Sequence, residues 1–374
     1  MILLKFIYYN VYMTVSNTYS IEDYLNLSEK ELDERITKAR KSLDQRLLIL
    51  GHHYQQDDVI KFADFRGDSL KLSQEAAKSA REFIVFCGVH FMAETADIVT
   101  GDNQKVILPD LTAGCSMADM ADLYRVEKAW KEIANVAGEE NVLPVTYINS
   151  SADLKAFCGK KGGSICTSSS AEKIMRWALG EREKVFFFPD EHLGRNSAIR
   201  SGIPEDEIIL WHRDAPMGGN SEAEIKKAKV ILWDGFCSVH MLFLPKHIEY
   251  FREKYPGVNI IVHPECRREV VELSDLCGST EYIIKTVKAA PAGTVWAIGT
   301  EINLVNRLRK EQPDKTIFFL STTVCLCSTM YRIDPQHLCW VLENLTGGNV
   351  VNRITVPEEE KRWAKIALER MLAL

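Results

Sequence analysis

The sequence predicts an α/β fold of three αβα three-layer domains, related by pseudo-threefold symmetry, whose parallel sheets surround a central site. Its 374 residues exceed what one hydrophobic core usually supports. Four types of segment recur in the same order three times along the chain. Within each copy, apolar strands alternate with helical patterns, which is typical of right-handed crossover units and parallel sheets.

The repeated segments predict the elements of each domain in order. Each copy starts with an apolar strand that runs into a polar loop, at 46–55, 141–153 and 259–270. A turn rich in Ser, Thr or Gly then opens a helix, from residues 66, 162 and 278. A second strand and loop begin at residues 82, 183 and 293, and a further strand leads to a cysteine in every copy.

These repeats set the predicted domain boundaries. The three αβα units are expected at residues 36–128, 129–241 and 242–329. An N-terminal extension, 1–35, and amphipathic C-terminal helices in 330–374 are expected to pack outside them. The middle copy carries extra residues around 199–226, which we predict to be a surface insertion.

Composition excludes several classes of protein. With 46% hydrophobic and 26% charged residues, the chain has the make-up of an ordinary globular protein. A net charge of −6 argues against a nucleic-acid partner, because such proteins usually carry a basic excess. The apolar start, residues 1–13, is too short to span a bilayer, so no membrane partner is expected. A disordered start, or a misassigned one with Met13 as the initiator, is the expected interpretation.

The cysteines point to a metal site. Ten cysteines without an export signal indicate a reducing cytoplasm, where thiols are either buried or bind metal. Cys115, Cys237 and Cys325 follow the last strand of the three copies. A single buried cysteine is usually a packing residue, but three equivalent ones fit a three-ligand site on the pseudo-threefold axis. Three thiolates suit zinc with an open position or an iron–sulfur cluster with one unligated iron, and spacing alone leaves both open.

The third ligand is ambiguous because Cys327 lies two residues after Cys325. The spacing from the lysine that opens the fourth strand of each copy distinguishes the two. The count is ten residues to Cys115, eight to Cys237, ten to Cys325 and twelve to Cys327. Only Cys325 falls within the range of the other copies, so it is the predicted ligand.

A series of motifs between Leu47 and Asn344 resembles one known family closely. The motifs, in chain order, are GHHYQ, GDSLKLS, FCGVHFMAETADI, LPDLTAGCSMADMA, VTYINSSADLKA, CTSSSA, DEHLGRN, WDGFCSVH, HPEC, GST and AIGTE. In this combination the chain resembles the quinolinate synthase family. It departs from the family pattern in its apolar N-terminal extension and in the CLC pair at 325–327.

The resemblance implies an iron–sulfur enzyme of de novo NAD biosynthesis. It implies three αβα domains around one 4Fe–4S cluster that is held by three cysteines. The implied reaction condenses iminoaspartate with dihydroxyacetone phosphate to quinolinate and releases phosphate and two waters, with the open iron acting as a Lewis acid in dehydration. The enzyme that supplies iminoaspartate is then the candidate partner protein.

Hydroxyl groups at three helix starts are the predicted anion sites. They are Ser69, Ser168 and Ser279 with Thr280, one group in each copy. Helix N-termini offer free amides and a favourable dipole to carboxylates and phosphate. Such hydroxyls commonly cap their own helices, and at a shared cavity edge they are expected to do both.

Polar residues at the end of the first strand of each copy are the predicted proton-transfer groups. They are His52 and Tyr54, Tyr147 and Asn149, and His263 and Glu265. An isolated histidine or tyrosine at a strand end is more often structural, but equivalence across the copies and the family match favour function.

Each of these groups has a predicted role. Glu265 is the predicted general base, with His263 and Tyr54 relaying or donating protons. Tyr147, also expected to be catalytic, and Asn149 orient substrate oxygens, and His52 contacts substrate. The resemblance places His240 at the substrate beside the cluster.

Two other functions fit the same cysteines. A non-enzymatic iron–sulfur redox sensor would also use an exposed iron, but it would not need Glu265 or Tyr54. A zinc lyase on the same scaffold would use three thiolates without iron. Metal content and quinolinate formation separate the three hypotheses.

Overall fold

The computed structural model describes residues 19–324 and 326–374. The predictions made for the apolar start and for Cys325 therefore lie outside the described residues. Within the described ranges, no helix is both long and apolar enough to cross a membrane.

Helices and strands alternate through the described chain. The first part comprises α1 (Glu29–Leu43), β1 (Leu47–His52), α2 (Asp57–Ile60), β2 (Phe65–Gly67), α3 (Ser69–Lys78), β3 (Phe83–Cys87), α4 (His90–Val99), β4 (Lys105–Ile107) and α5 (Leu123–Ala137). The middle part comprises β5 (Val142–Tyr147), α6 (Ala152–Lys160), β6 (Ser164–Cys166), α7 (Ala171–Glu181), β7 (Lys184–Phe188), α8 (Glu191–Arg200), β8 (Ile208–Trp211), α9 (Glu222–Lys227), β9 (Val230–Trp233) and α10 (Pro245–Lys254). The last part comprises β10 (Asn259–Val262), α11 (Arg268–Leu273), β11 (Leu276–Cys277), α12 (Thr280–Ala289), β12 (Val295–Gly299), α13 (Ile302–Glu311), β13 (Thr316–Phe319), α14 (Pro335–Thr346), β14 (Arg353–Ile354) and α15 (Glu358–Ala373).

Three sheets share one strand order, which confirms the predicted triplicate α/β fold. Their orders are β14-β4-β3-β1-β2, β6-β5-β7-β9-β8 and β11-β10-β12-β13. In every sheet the first strand of the copy lies between the second and third, and a fourth strand follows the third. All pairings are parallel except the antiparallel pair of β14 and β4. Strand β1 is buried along its whole length, as expected for a central strand with helices on both faces.

The helices cover the sheets with apolar stripes. In α5, the buried residues Val126, Ala129, Trp130 and Ile133 recur at the three- and four-residue spacing of one helix face. The side chain of Asp122 accepts a hydrogen bond from the amide of Arg125 and caps the start of this helix.

Two segments add structure that the sequence did not predict. The insertion around 199–226 is more than a surface loop, because it contributes the edge strand β8 and the helix α9 to the second unit. Strand β14 adds an antiparallel edge to the first sheet. A strand of two residues is too short to show a period-two pattern, which is why the sequence did not reveal it.

The flanking helices complete the outer layers. Helix α1 packs with α14 in the apolar core of the first unit, where Ile36 and Leu342 are fully buried. Helix α15 packs on α6 of the second unit. Apart from β14, each sheet lies within one of the predicted ranges 36–128, 129–241 and 242–329, whose boundaries remain predictions.

Candidate active site

A central cavity collects loops from all three sheets. His52 and Tyr54 line it from the first unit, Tyr147 and Asn149 from the second, and Glu265, beside His263, from the third. In parallel sheets the loops that follow the strands share one edge. The edges of the three sheets therefore meet at this cavity.

The first and third units present the same turn to the cavity. The amide of Tyr54 donates to Nδ1 of His52 at 3.2 Å, and the amide of Glu265 donates to Nδ1 of His263 at 3.4 Å. Because Nδ1 accepts in both rings, a neutral imidazole carries its hydrogen on Nε2. Burial lowers the pKa of each histidine to about 3, so both are neutral hydrogen-bond donors near pH 7.

Glu265 is the centre of the polar network. The Tyr147 hydroxyl donates to its Oε1 at 2.7 Å, and Nδ1 of His240 lies 2.9 Å from its Oε2. The latter contact has ion-pair distance but lies outside hydrogen-bonding geometry. Burial acts to raise the pKa of Glu265, but His240, His263 and the Tyr147 hydrogen bond outweigh it and hold the pKa below its usual range. A carboxylate is therefore available at neutral pH.

His240, which the resemblance places at the substrate beside the cluster, lies against Glu265 and His263 in the structure, and its contact with substrate stays a prediction. It is 1% exposed and, among the described residues, is absent from the set that lines the cavity. Its ring stacks on His263 with centroids 4.7 Å apart. It therefore contacts both Glu265 and His263.

Thr300 is a site residue that the sequence analysis missed. It follows β12, is fully buried, and its Oγ1 lies 2.8 Å from the Tyr54 hydroxyl and 3.3 Å from Nε2 of His240. Gly88 and Pro189 stand at the corresponding places after β3 and β7. Because neither has a hydroxyl group, the repeat gave no signal for Thr300.

The predicted anion-binding residues at the helix starts do not all face the same cavity. Ser69, Ser168 and Thr280 line the cavity, and Thr280 Oγ1 is buried with no hydrogen bond to the described residues. Ser279 instead caps α12 by accepting from the amide of Tyr282, and it faces a neighbouring pocket. The cap of α3 is Asp68, whose side chain accepts from Lys71, so Ser69 is not used as a cap.

Three thiols from the three units also line the cavity. They belong to Cys115, Cys237 and Cys327. A short 3₁₀-helix begins three residues after each of them, at Ala118–Met120, His240–Leu242 and Met330–Arg332.

The turn after each of these cysteines is the same. Each cysteine carbonyl accepts from the amide four residues later, at 2.9 Å from Asp119, 3.1 Å from Met241 and 3.1 Å from Tyr331. The α-helix that follows begins eight residues after the cysteine in all three units. By this register Cys327 is the third equivalent position, whereas the predicted ligand Cys325 lies outside the described residues.

The surroundings of the thiols fit a bound metal. The amides of Ala118, His240 and Met330 contact Cys115, Cys237 and Cys327, respectively, and act to lower their pKa values. Burial outweighs them and raises each thiol pKa, to about 12 for Cys115. Thiols held this way are poor free thiolates, but a bound metal stabilises the deprotonated form and the amides then donate to sulfur.

A second metal-ligand set overlaps the first. Ligand atoms of Cys237, His240 and Glu265 lie within 4.8 Å of one another, close enough for a single ion. This set uses one of the three equivalent thiols and the central carboxylate. The donor atoms alone therefore admit one metal ion as well as a cluster.

The fold and the cavity define an α/β enzyme with three thiols beside a carboxylate–histidine–tyrosine network. The chain belongs to the quinolinate synthase family, as the resemblance indicated: a family model described as quinolinate synthetase A protein matches residues 34–373. Quinolinate synthase from Herpetosiphon aurantiacus is 58% identical over 356 residues, covering 94% of this chain and 95% of that protein. The quinolinate synthase from Rhodopirellula baltica is 54% identical over 372 residues, covering 96% and 95%.

Proposed function

We propose that this protein condenses iminoaspartate with dihydroxyacetone phosphate to form quinolinate, releasing phosphate and two waters. The observation that carries the proposal is the single cavity in which three equivalent thiols meet the Tyr147–Glu265 pair. The family match and the relatives named quinolinate synthase support it. The proposed location is the cytoplasm, whose reducing conditions suit unpaired cysteines. The enzyme that supplies iminoaspartate is the proposed protein partner.

The cavity suits two small anionic substrates. Together they carry two carboxylates and one phosphate, and the cavity offers the helix starts at Ser69 and Thr280 and the hydroxyl of Ser168. The free amides and dipole of a helix start favour anions. The Thr280 hydroxyl has no hydrogen-bond partner in the part of the chain that the structure describes, so it can donate to a phosphate or carboxylate oxygen. Ser279 supports this site indirectly, as the cap of α12.

Proton transfer is assigned to the polar network. Glu265 acts as the general base that removes a proton beside a carbonyl. Tyr147 holds one oxygen of Glu265, and its neighbour Asn149 orients a substrate oxygen from the same loop. The neutral rings of His52 and His263 donate from Nε2 to substrate oxygens as charge develops on them.

Cys115, Cys237 and Cys327 are proposed to hold a 4Fe–4S cluster. Bound there, the cluster would supply an open iron as a Lewis acid for loss of hydroxyl groups in the dehydration steps. Cys327 replaces Cys325 in this proposal because of the shared turn after the cysteine. The chain's own contribution is to hold the three thiols at the wall of the cavity that also contains Glu265.

The test is metal analysis and turnover of anaerobically purified protein. We expect iron and sulfide in near-equal amounts and quinolinate formation from the two substrates. Zinc without sulfide would support the zinc lyase, for which Cys237, His240 and Glu265 are a ready ligand set. A cluster without quinolinate formation would support the redox sensor. Exposure to air should remove the brown colour and the activity together, because an open iron is reachable by oxidants.

A further inference from the structure

A second cleft lies between the first and third units of the fold. Its volume is about 300 Å³, which is at the lower end of the range of small-molecule sites. The first unit contributes Arg66 and Lys71 to its walls, and the third unit contributes residues of α12 and α13. Among the described residues, none lines both this cleft and the central cavity, so the two are separate.

Permanent cations outnumber carboxylates in the lining of this cleft. The cations are Arg66, Lys71, Lys288 and Arg307, and the carboxylates are Glu281 and Glu311. Behind the lining, Asp57 pairs with Arg307 at 3.1 Å. The cleft keeps an excess of positive charge even so, whereas the whole chain carries a net charge of −6. A concave site with an excess of one sign of charge attracts a ligand of the other sign.

One end of the cleft is closed by contacts between the two units. Oε1 of Glu281 lies 3.1 Å from Nε2 of His53 and 3.3 Å from Nζ of Lys71. The His53 hydrogen bond lowers the pKa of Glu281 to about 2, so this carboxylate is charged at neutral pH. The Arg307 guanidinium donates to the backbone oxygens of His53 and Gln55. The charges of Lys71 and Arg307 are therefore used to hold the units together.

The opposite end carries more positive charge than its own carboxylate neutralises. Nζ of Lys288 lies 2.7 Å from Oε2 of Glu311, but Arg66 is 3.9 Å from Oε1 of the same carboxylate, too far for a hydrogen bond. The side chains of Arg66 and Lys288 are 44% and 45% exposed, so a ligand can reach both. A guanidinium and an ammonium group that converge on one acceptor suit a phosphate group.

Apolar side chains line the cleft beside these two cations. Ile284 lies one turn before Lys288 on α12, and Leu304 and Leu308 lie one turn apart on α13. A bare phosphate ion would contact the cations alone. A phosphate carried on an apolar or aromatic body would also cover these side chains and remove their surface from water.

We propose that this cleft is a binding site for a small organic phosphate of the nucleotide class. Its phosphate binds to Arg66 and Lys288, and its base ring packs on Ile284 and Leu304. The Glu311 carboxylate competes with the phosphate for the same two cations. The site lies outside the catalytic cavity, and its existence does not depend on the proposed function.

Titration calorimetry of the anaerobically purified protein with ADP, adenosine and inorganic phosphate tests the class of ligand. We expect ADP to bind roughly tenfold or more tightly than inorganic phosphate, because only ADP covers the apolar side chains. Adenosine should bind more weakly than ADP, and ADP affinity should fall with added salt, since both cations are partly exposed. Equal affinities for ADP and inorganic phosphate would overturn the organic ligand. Absence of ADP binding would overturn the site.

Three variants in and beside the cleft locate the bound ADP. Lys288→Gln removes one cation and should weaken ADP binding roughly fivefold or more. Glu311→Gln removes the competing carboxylate and should tighten ADP binding roughly threefold or more. Lys285→Gln is the matched control and should bind ADP like the wild type, because Lys285 is exposed on the same helix but is not one of the described residues that line the cleft. Equal weakening by the two lysine variants would mean that ADP responds to the overall surface charge, and the proposal would be wrong.

Ser168→Ala separates the cleft from the central cavity, which is itself proposed to accept a phosphate. Ser168 lines the cavity from the second unit and does not line the cleft. ADP affinity should therefore be unchanged in this variant. Loss of ADP binding in Ser168→Ala, with none in Lys288→Gln, would place the ligand in the cavity and refute the second site.

Discussion

The Tyr147 hydroxyl donates a 2.7 Å hydrogen bond to Oε1 of Glu265, although the two residues lie 118 positions apart in the chain. Tyr147 ends the first strand of the second unit, and Glu265 lies in the corresponding loop of the third. Both side chains are buried. The pair therefore ties two units together at the residue that we assign as the base.

Replacing the base should abolish most turnover without disturbing the thiols. Glu265→Gln keeps the shape of the side chain but removes the negative charge. We expect a loss in kcat of roughly 100-fold or more, the usual scale for a general base. The cluster absorption should be unchanged, since Glu265 is not one of the proposed cysteine ligands. Steady-state kinetics and absorption spectra of the same preparation check this.

Tyr147→Phe is the matched control for this variant. It removes the hydrogen bond to Oε1 and leaves the carboxylate in place, so we expect a milder loss of roughly tenfold. A Glu265→Gln enzyme with wild-type turnover would remove Glu265 from the mechanism.

The third thiol ligand is decided by comparing two cysteines of one loop. Cys327 lines the cavity, and its turn matches those of Cys115 and Cys237. We therefore expect Cys327→Ala to lack the cluster and activity after anaerobic reconstitution. Cys325→Ala should keep most of its iron. Iron content measured on both variants after identical treatment is the readout. The reverse result would restore the assignment made from the strand count.

Two signals in the sequence favour different cysteines as the third ligand. The prediction counted from the lysine that opens the fourth strand, but loops between strand and cysteine vary. Cys115 and Cys327 lie eight residues after the ends of β4 and β13, whereas Cys237 lies four after the end of β9. The turn after the cysteine is constant because it forms the same hydrogen bond in each unit, and counting back from the following helices would have favoured Cys327.

The sequence predicted the triplicate fold because buried strands repeat strongly enough to stand out from the helices. It also predicted the convergence of His52, Tyr147 and Glu265, because strand ends of parallel sheets share one edge. It could not predict Thr300, which has no hydroxyl-bearing counterpart in the other units. Nor could it predict the contact of His240 with Glu265, since that depends on how the turns after the cysteines pack.

The docking of the last helix depends on a glycine. A Cβ atom on Gly159 of α6 would lie 2.0 Å from the backbone oxygen of Trp363 in α15. Gly159→Ala should therefore push α15 away and destabilise the protein by about 1–3 kcal/mol. Thermal unfolding checks the stability, and limited proteolysis of the C-terminus checks the release of the helix.

Gly180 provides the control for the glycine variant. It lies in helix α7, and nothing stands within 4 Å of the position that a Cβ atom would take. Gly180→Ala should be neutral or stabilise the protein by up to about 1 kcal/mol through helix propensity. Equal effects of the two substitutions would show that the contact with Trp363 is not what requires glycine.

Because one lysine is buried, the stability of the protein should change with pH in the alkaline range. Lys155 is fully buried in α6, where its Nζ donates to the carbonyl of Ser150 and lies 5.5 Å from the ring centre of Phe91. Burial lowers the pKa of Lys155 to about 8, with Glu94 and Asp153 opposing part of the shift. Between that value and the ordinary lysine pKa of about 10.4, the unfolded chain binds the proton that the folded chain has lost, so this group makes stability rise with pH.

Comparison with Lys155→Met isolates this contribution, because methionine keeps much of the volume without a charge. Between pH 7 and pH 10.5 the folded wild type loses the buried charge and its cost, whereas the variant has no charge to lose. The stability of the wild type should therefore rise by up to about 3 kcal/mol relative to that of the variant. Thermal or urea unfolding of both proteins across this range gives the difference. Lys160→Met is the control, since Lys160 is exposed at the end of the same helix, where it forms a surface ion pair with Glu359. The free energy of unfolding of Lys155→Met, relative to the wild type, could instead be the same at every pH in this range. That result would mean that the folded protein keeps this lysine charged throughout.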